Sequence, residues 1–524
     1  MLRRGGNATD AAIATAFAQG VVDPIYCGIA GGFHGIFHDA LSGTTKVIAA
    51  GGRAPLAARN DMWQITGRHG AMWEVEGNRN RLGYEASMVP GFIRGAAAAL
   101  ERFGSGRISW RDVISPAIQL AEEGFRVYPY LYRLWMPRTD RMRNFLESLD
   151  GPSVLGQTAA CREIYLHPDG SVYTIGELLV QRDYGRTLEL LADRGPDEFY
   201  EGEIGRRIAD DFQQNGGLLS LEDLRRFRAD VEDPVTTTFR GLTALTEPAP
   251  TIGPVILEIL NVLDGWDDLA TLGWNTASYL DRLARTFHLA FRDRMTQLGD
   301  PDFVDVPQER LLSKEYAAGL RELVERSVDA REAPALAPFA AGARFGETTH
   351  VSVLDTAGSA AAITHSLGMS SGVVTPGLGF QHNCHMVMFD PTPGSRNCIE
   401  PWKRPITGGG PTLFFEDGEV RLVIGSPGGA LKASGSVQAL LNMELFGMSV
   451  EEAVSAERIH AEDEADTVIV EPHFDPRALE GLAAKGQRVR FDWYTARLAA
   501  VARSRSGLLS GGTDPRGDRG LAVV

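Results

Sequence analysis

Residues 344–355 read RFGETTHVSVLD, two adjacent threonines between a glycine-containing stretch and an alternating run. From Thr349 onward Val351 and Val353 fall on one side, Ser352 and Leu354 on the other, the period-2 pattern of a half-buried strand. A strand that opens on β-branched residues accounts for this locally. A second reading gives Thr348 a chemical task. Once the 347–348 bond is cut, Thr348 carries a free α-amino group beside its hydroxyl. A threonine hydroxyl is a weak nucleophile until a base takes its proton. An α-amino group, with a pKa of about 8, is such a base close to neutral pH. The stretch just upstream, residues 329–347 (DAREAPALAPFAAGARFGE), is rich in Ala, Pro and Gly. A flexible segment of that kind would let two new chain ends move apart.

The rest of the chain bounds what such a group could serve. At 524 residues and 44% apolar, the sequence can bury a large core. Its 68 acidic residues outnumber 52 basic ones, for a net charge of −16, which argues against a nucleic-acid partner. No run of 18 apolar residues occurs, so no membrane span is expected. The four cysteines (Cys27, Cys161, Cys384, Cys398) form no CxxC pair and imply neither a zinc site nor a disulfide framework. No signal peptide is visible, so a cytoplasmic location is expected. AAIATAFAQG (11–20) reads as an amphipathic helix entered through Asn7 and ending at Gly20.

Three β-hairpins are expected, at 32–50, 349–367 and 411–425, the last turning at Asp417-Gly418. Helices are expected at 109–125 and from Ser220, each opened by a serine with an acid three residues on. Further helices are expected over 275–295 and, as a pair, within 439–460. Strands, many helices, strands, then helices is the order of a layered α+β or α/β protein. GIAGGFHG and ITGGGPT match neither dinucleotide nor P-loop spacing. His382 and His385 with Cys384 are candidate metal ligands by type, but the spacing puts the two histidines on opposite faces of a strand with no third cluster near. No metal or other cofactor is expected. His34, His38, His365 and His382 read as structural.

Several motifs together resemble the gamma-glutamyltransferase family. These are RRGGNATDAAIATAFAQGVVDP (3–24), GIAGGF (28–33), GPDEFYEGEIG (195–205), GGLLSLEDL (216–224), LGDPDFVDVPQERLLS (298–313), ETTHVSVLD (347–355), GSPGG (425–429) and TDPRGDRG (513–520). The resemblance implies an N-terminal-nucleophile (Ntn) hydrolase: an α+β, four-layer αββα sandwich built jointly by two subunits of one precursor. The large subunit would be 1–347 and the small one 348–524, joined at Glu347 and Thr348 until self-cleavage. It implies Thr348 as nucleophile, Ser366 as the hydroxyl beside it, and Gly428 and Gly429 as the oxyanion-hole pair, since a side chain would obstruct the backbone there. Relatives carry a further strand ahead of the Arg-Arg-Gly-Gly-Asn stretch, so Met1 is expected inside their opening helix.

The chain departs from that family where γ-glutamyl donors are gripped. The family's arginine position is Gly51, with Arg53 two places on. Its asparagine is Gly368, its Met-Asp-Asp triplet is Met386, Val387 and Met388, and its serine pair is Thr407 and Gly408. A buried ammonium without a carboxylate costs several kcal/mol, so the expected substrate is a small-molecule amide with a carboxylate-bearing acyl group and no α-amine, oxamate-like or glutaryl-like. Arg53, Thr407 and Gly368 are the expected substrate-binding positions. The shortened segment 390–402 predicts an open pocket. A true gamma-glutamyltransferase or glutathione hydrolase, and a non-catalytic relative of the same fold, stay as alternatives. Self-association into a homo-oligomer is left open.

Overall fold

The computed structural model describes residues 1–69, 72–136, 151–330, 348–462, 467–492, 496–518 and 520–524. Glu347 and the expected linker from 331 onward lie outside these residues. Two central sheets contain β1 (Gly32–Asp39), β2 (Thr44–Ala50), β3 (Asp230–Glu232), β4 (Val235–Phe239), β5 (Leu242–Thr246), β6 (Thr349–Leu354), β7 (Ala360–Ser366), β8 (Thr412–Glu416), β9 (Glu419–Gly425), β10 (Ala499–Arg503) and β11 (Leu509–Thr513). The first sheet runs β6-β7-β1-β2-β3 and the second β11-β10-β9-β8-β5-β4. Each sheet therefore interleaves strands from before and after Thr348.

The alternation seen around Thr348 recurs in β1, β2, β6 and β7 of the first sheet and decides its layering. Phe33, Phe37, Ile48, Val351 and Ile363 face outward onto α1 (Ala8–Val22) and α2 (Phe92–Phe103), with α3 (Trp110–Glu123) and α4 (Arg182–Arg194) behind them. Ile36, Val47, Leu354, Ala360 and Ala362 face inward, where Leu413, Val420 and Val423 of the second sheet meet them. The second sheet turns Phe414, Leu422 and Ile424 to its own outer helices. These are α5 (Gly253–Asp264), α6 (Ala277–Gln297), α7 (Lys314–Ala330) and α8 (Leu431–Phe446). Each enclosed side chain such as Phe33 or Phe37, both 0% exposed, contributes roughly 1.5–3 kcal/mol by leaving water. The result is the αββα order.

All three expected hairpins form, as β1-β2, β6-β7 and β8-β9. Asp417 and Gly418 both hold positive φ, 51° and 84°, the left-handed pair a tight two-residue hairpin requires. Ser109 with Asp112 and Ser220 with Asp223 form reciprocal capping boxes, and Asn7 with Asp10 opens α1 in the same way.

Three expectations are corrected. α1 continues through Gly20 to Val22 and is enclosed on most sides rather than amphipathic. Gly20 is no helix stop: a Cβ there would lie 3.2 Å from the Gly28 Cα, so it lets the helix approach the glycine loop. The pair expected within 439–460 begins earlier, with α8 starting at Leu431; every residue from Leu431 to Asn442 is buried, so no polar face marks its start. His382 and His385 do not share a strand. His382 bridges to Ala30 and His385 opens a short 3₁₀ turn, His385–Met388. No helix among the described residues is long and apolar enough to cross a membrane.

Candidate active site

The site begins in the register of the first sheet. Thr349 pairs with His365 and His350 with Thr364, so Thr348, one residue before β6, continues the ladder opposite Ser366. Side chains alternate along a strand, which puts Thr348 and His350, with Ser366 and Thr364, on the inner face. Thr348 is buried. Ser366 pairs on its other side with Gly32 of β1, and its Oγ accepts the Gly368 N–H at 2.8 Å.

From there a series of close approaches, each made by a glycine, links neighbouring elements. A Cβ on Gly32 would lie 2.5 Å from the Gly51 carbonyl oxygen, and one on Gly51 would lie 2.5 Å from Cε1 of His34. One on Gly409 would lie 2.6 Å from Cγ and Nδ1 of the same ring, and one on Gly408 would lie 2.9 Å from the Gly429 carbonyl oxygen. At the end of β9, a Cβ on Gly425 would lie 2.1 Å from Cε1 of His350, which returns the path to the strand that carries Thr348. Gly51 and His34 on this path line a cleft together with Arg53, Glu247, Arg404 and Thr407, and Thr348, Ser366, Gly428 and Gly429 are not among its lining residues.

Gly428 and Gly429 adopt φ of 115° and 55°, a region in which side-chain-bearing residues are strained. They link β9 to α8. Neither donates its N–H to an acceptor among the described residues. Two adjacent, unengaged N–H groups are of the kind that can hold an oxyanion.

The wall of the cleft is ionic. Arg53 Nη2 lies 3.0 Å from Asp230, while its Nη1 lies 3.4 Å from Asp302 and donates to the Trp402 carbonyl at 3.2 Å. Arg404 pairs with Asp300 at 2.7 Å and with Glu232 at 3.4 Å. Burial raises the Glu232 carboxyl above its usual range, with Arg404 opposing. Thr407 lines the cleft with His34 and Arg53; its Oγ accepts the Gly409 N–H at 3.1 Å. His34, which reads from sequence as structural, also borders this cleft, with Nδ1 at 2.9 and 3.0 Å from the two oxygens of Glu247. The sequence carries no signal for Glu247, which lies 213 residues away.

The departures from γ-glutamyl recognition have definite occupants. Gly368 holds φ of 74°, and a Cβ on it would lie 2.7 Å from the Cys384 sulfur. Val387 packs with Ala86 and Cys384, and Met388 lies against them. His385 is buried, and its imidazole is pushed down to about 3 by that burial, with His34 and Lys432 adding to the shift; it is neutral near pH 7. His38 bonds Thr45, His365 bonds Gln19 and His382 bonds Thr375. Among the described residues no three His, Cys, Asp or Glu side chains are grouped to hold a metal ion.

The chain is similar to known proteins over nearly its whole length. The family model for gamma-glutamyltranspeptidase matches residues 1–524. The chain is 32% identical over 534 residues to the glutathione hydrolase proenzyme of Escherichia coli (strain K12), covering 98% of this chain and 87% of that protein. It is 33% identical over 524 residues to the acylase ACY 1 proenzyme of Pseudomonas sp. (strain SE83), covering 99% and 89%. The crystal structure of cephalosporin acylase from Bacillus halodurans matches with a TM-score of 0.82 at 26% identity, covering 99% of this chain and 91% of that one.

Proposed function

The chain belongs to the gamma-glutamyltranspeptidase family of Ntn amidohydrolases, and from that premise we propose that it cuts itself before Thr348 and then hydrolyses an amide through an acyl-enzyme on the Thr348 hydroxyl. In self-cleavage the Thr348 Oγ attacks the Glu347 carbonyl, the peptide bond becomes an ester, and water releases the Glu347 carboxylate and the Thr348 amine. The pieces are residues 1–347 and 348–524. In turnover that amine takes the hydroxyl proton as Oγ attacks the substrate carbonyl. The N–H groups of Gly428 and Gly429 hold the oxyanion, the proton passes to the leaving amine, and water then frees the acid. Ser366 hydrogen-bonds the nucleophile.

The observation that carries this reading is the pair of unengaged N–H groups at Gly428 and Gly429, just past the end of β9, whose Gly425 approaches His350 two residues from Thr348. The acyl group is carboxylate-bearing and lacks an α-amine, oxamate-like or glutaryl-like. Apolar packing of Val387 and Met388 supports this, because a buried ammonium there would have no carboxylate to pair with. The second reading, γ-glutamyl hydrolysis or transfer, is favoured by the likeness to a glutathione hydrolase.

One experiment tests both steps. N-terminal sequencing of the purified chain should find a fragment starting at Thr348. The matured enzyme should then prefer glutaryl-p-nitroanilide to γ-glutamyl-p-nitroanilide. A chain that never matures overturns the mechanism; preference for the γ-glutamyl compound, with transfer to a dipeptide, establishes the second reading.

A further inference from the structure

We propose that Ser434, held by a buried His460–Glu462 pair, is a positioning residue that sets the place of the Gly428 and Gly429 N–H groups. The inference rests on the oxyanion role proposed above for those two glycines and adds what fixes them. Two observations carry it, both geometric.

The first is an unbroken path of contacts from a buried carboxylate to the glycine pair. The Gly428 carbonyl accepts the Leu431 N–H at 3.0 Å, across the turn that opens α8. Ser434 Oγ lies 3.1 Å from the Leu431 carbonyl oxygen and 2.8 Å from Nδ1 of His460. Nε2 of that ring lies 3.1 Å from one oxygen of Glu462, whose other oxygen is 3.6 Å from Arg294 on α6. A carboxylate accepts only, so Nε2 donates to Glu462 and Nδ1 is the nitrogen left for Ser434. Whichever way the hydroxyl proton points, Ser434 is held between the ring and the first turn of α8.

The second is enclosure. Ser434 and His460 are 0% exposed, and Glu462 and Arg294 are buried with them. The Phe291 ring stands edge-on to the imidazole, with centroids 5.0 Å apart. Gln438 of α8 donates its side-chain N–H to the Ile459 carbonyl at 2.8 Å and accepts the Ile459 N–H at 3.0 Å. That pair of bonds fastens the short strand Ile459–His460 to the helix. Water has no access to replace a lost partner, so a group deprived of one stays unpaired or moves. Packing of this density passes a displacement on to its neighbours.

The two glycines need such support because neither carries a Cβ to brace against its surroundings. Their turn takes its place from the groups tied to it. At its entry Ser426 Oγ accepts the Arg497 N–H at 3.3 Å; at its exit stands the path through Leu431 to Ser434. An oxyanion forms as the carbonyl is attacked, so donors held out of place weaken transition-state binding and leave substrate binding intact. The kinetic sign is a lower kcat at constant KM.

The test compares wild type, Ser434→Ala and Asn442→Ala on whichever of glutaryl-p-nitroanilide and γ-glutamyl-p-nitroanilide wild type hydrolyses faster. Asn442 lies on the same helix about 12 Å further on, where it accepts the Trp274 indole N–H at 3.0 Å. Its loss weakens α8 without touching the first turn. Ser434→Ala should lower kcat about three- to tenfold, the worth of one hydrogen bond, with KM within about twofold, and should slow self-cleavage by a similar factor. Asn442→Ala should lower the thermal-unfolding midpoint to a comparable extent with kcat unchanged. If Ser434→Ala does not mature, Glu462→Gln, which keeps the shape while loosening the hold on the ring, reads the same fall in kcat. A Ser434→Ala enzyme with wild-type kcat, one whose loss appears in KM, or one matched in kcat by Asn442→Ala overturns the positioning role and leaves the oxyanion assignment standing. A wild type that neither matures nor hydrolyses either compound overturns that assignment, and the positioning role with it.

Discussion

Replacing Gly408 with serine restores, on paper, a residue that γ-glutamyl-handling relatives use, and the structure predicts that it will harm the enzyme. A Cβ at position 408 would lie 2.9 Å from the Gly429 carbonyl oxygen and 3.0 Å from its carbonyl carbon and Cα. Carbon contacts settle at roughly 3.5 Å, so Gly429 would have to retreat by about half an ångström. The obstacle is backbone, which cannot rotate away as a side-chain tip could. A hydrogen bond of about 2.9 Å lengthened by that amount leaves the effective range. Complete loss of one oxyanion donor costs about 10²–10³ in kcat, so a partial retreat predicts a kcat about 10- to 100-fold below wild type. Self-cleavage should slow as well, because it forms an oxyanion at the same glycines. Stopped-flow measurement of p-nitroaniline release in a single turnover isolates the acylation step, and a time course on a denaturing gel follows maturation. A Gly408→Ser enzyme that matures and acylates at the wild-type rate, or that gains γ-glutamyl hydrolysis, would refute this account of the cleft.

Thr348→Ala should remain a single chain under conditions in which wild type yields two fragments, read by intact mass. Ser366→Ala should lower kcat by about tenfold through loss of a hydrogen bond to the nucleophile, and an unchanged rate removes Ser366 from the site. Hydrolysis should rise with pH through the α-amino pKa of Thr348, about 8 before environmental shifts, because only the free amine accepts the hydroxyl proton; a flat profile from pH 6 to 9 contradicts the amine as base. Burial pushes the His382 imidazole down to about 3, so the folded chain keeps it neutral while the unfolded chain protonates near 6.5. Its contribution is present above about 6.5 and is lost as pH falls toward 3, and His382→Gln should flatten the acid limb of a thermal-unfolding series.

What the sequence made legible was local. Alternation from Val351 to Leu354, the turn residues Asp417 and Gly418, and the serine caps at Ser109 and Ser220 each act within a few residues, and each appears as read. The pairing of Thr348 with Ser366 was also readable, because a short turn between β6 and β7 fixes the register. What stayed hidden depends on distance or on enclosure. α8 is buried all round, so its sequence shows no period to detect. The His34–Glu247 contact joins residues from opposite sheets, and only the stacking of those sheets brings them together.

The glycines of the cleft show why reading its losses residue by residue misleads. Gly51, Gly368 and Gly408 each stand where a recognition side chain is expected, and each looks like a simple deletion in the sequence. In the structure none of the three leaves an empty place. The His34 ring fills the space beside Gly51, the Cys384 sulfur that beside Gly368, and the backbone of Gly429 that beside Gly408. A side chain returned to any one of them meets a neighbour already in contact, and interiors packed at this density do not absorb an added group freely. The three glycines and their occupants therefore form one set, and a change of acyl specificity must alter both members of a pair. At position 51 that pair is the glycine and His34, whose ring a Cβ on Gly51 would meet at 2.5 Å, so returning an arginine there requires the imidazole to move as well.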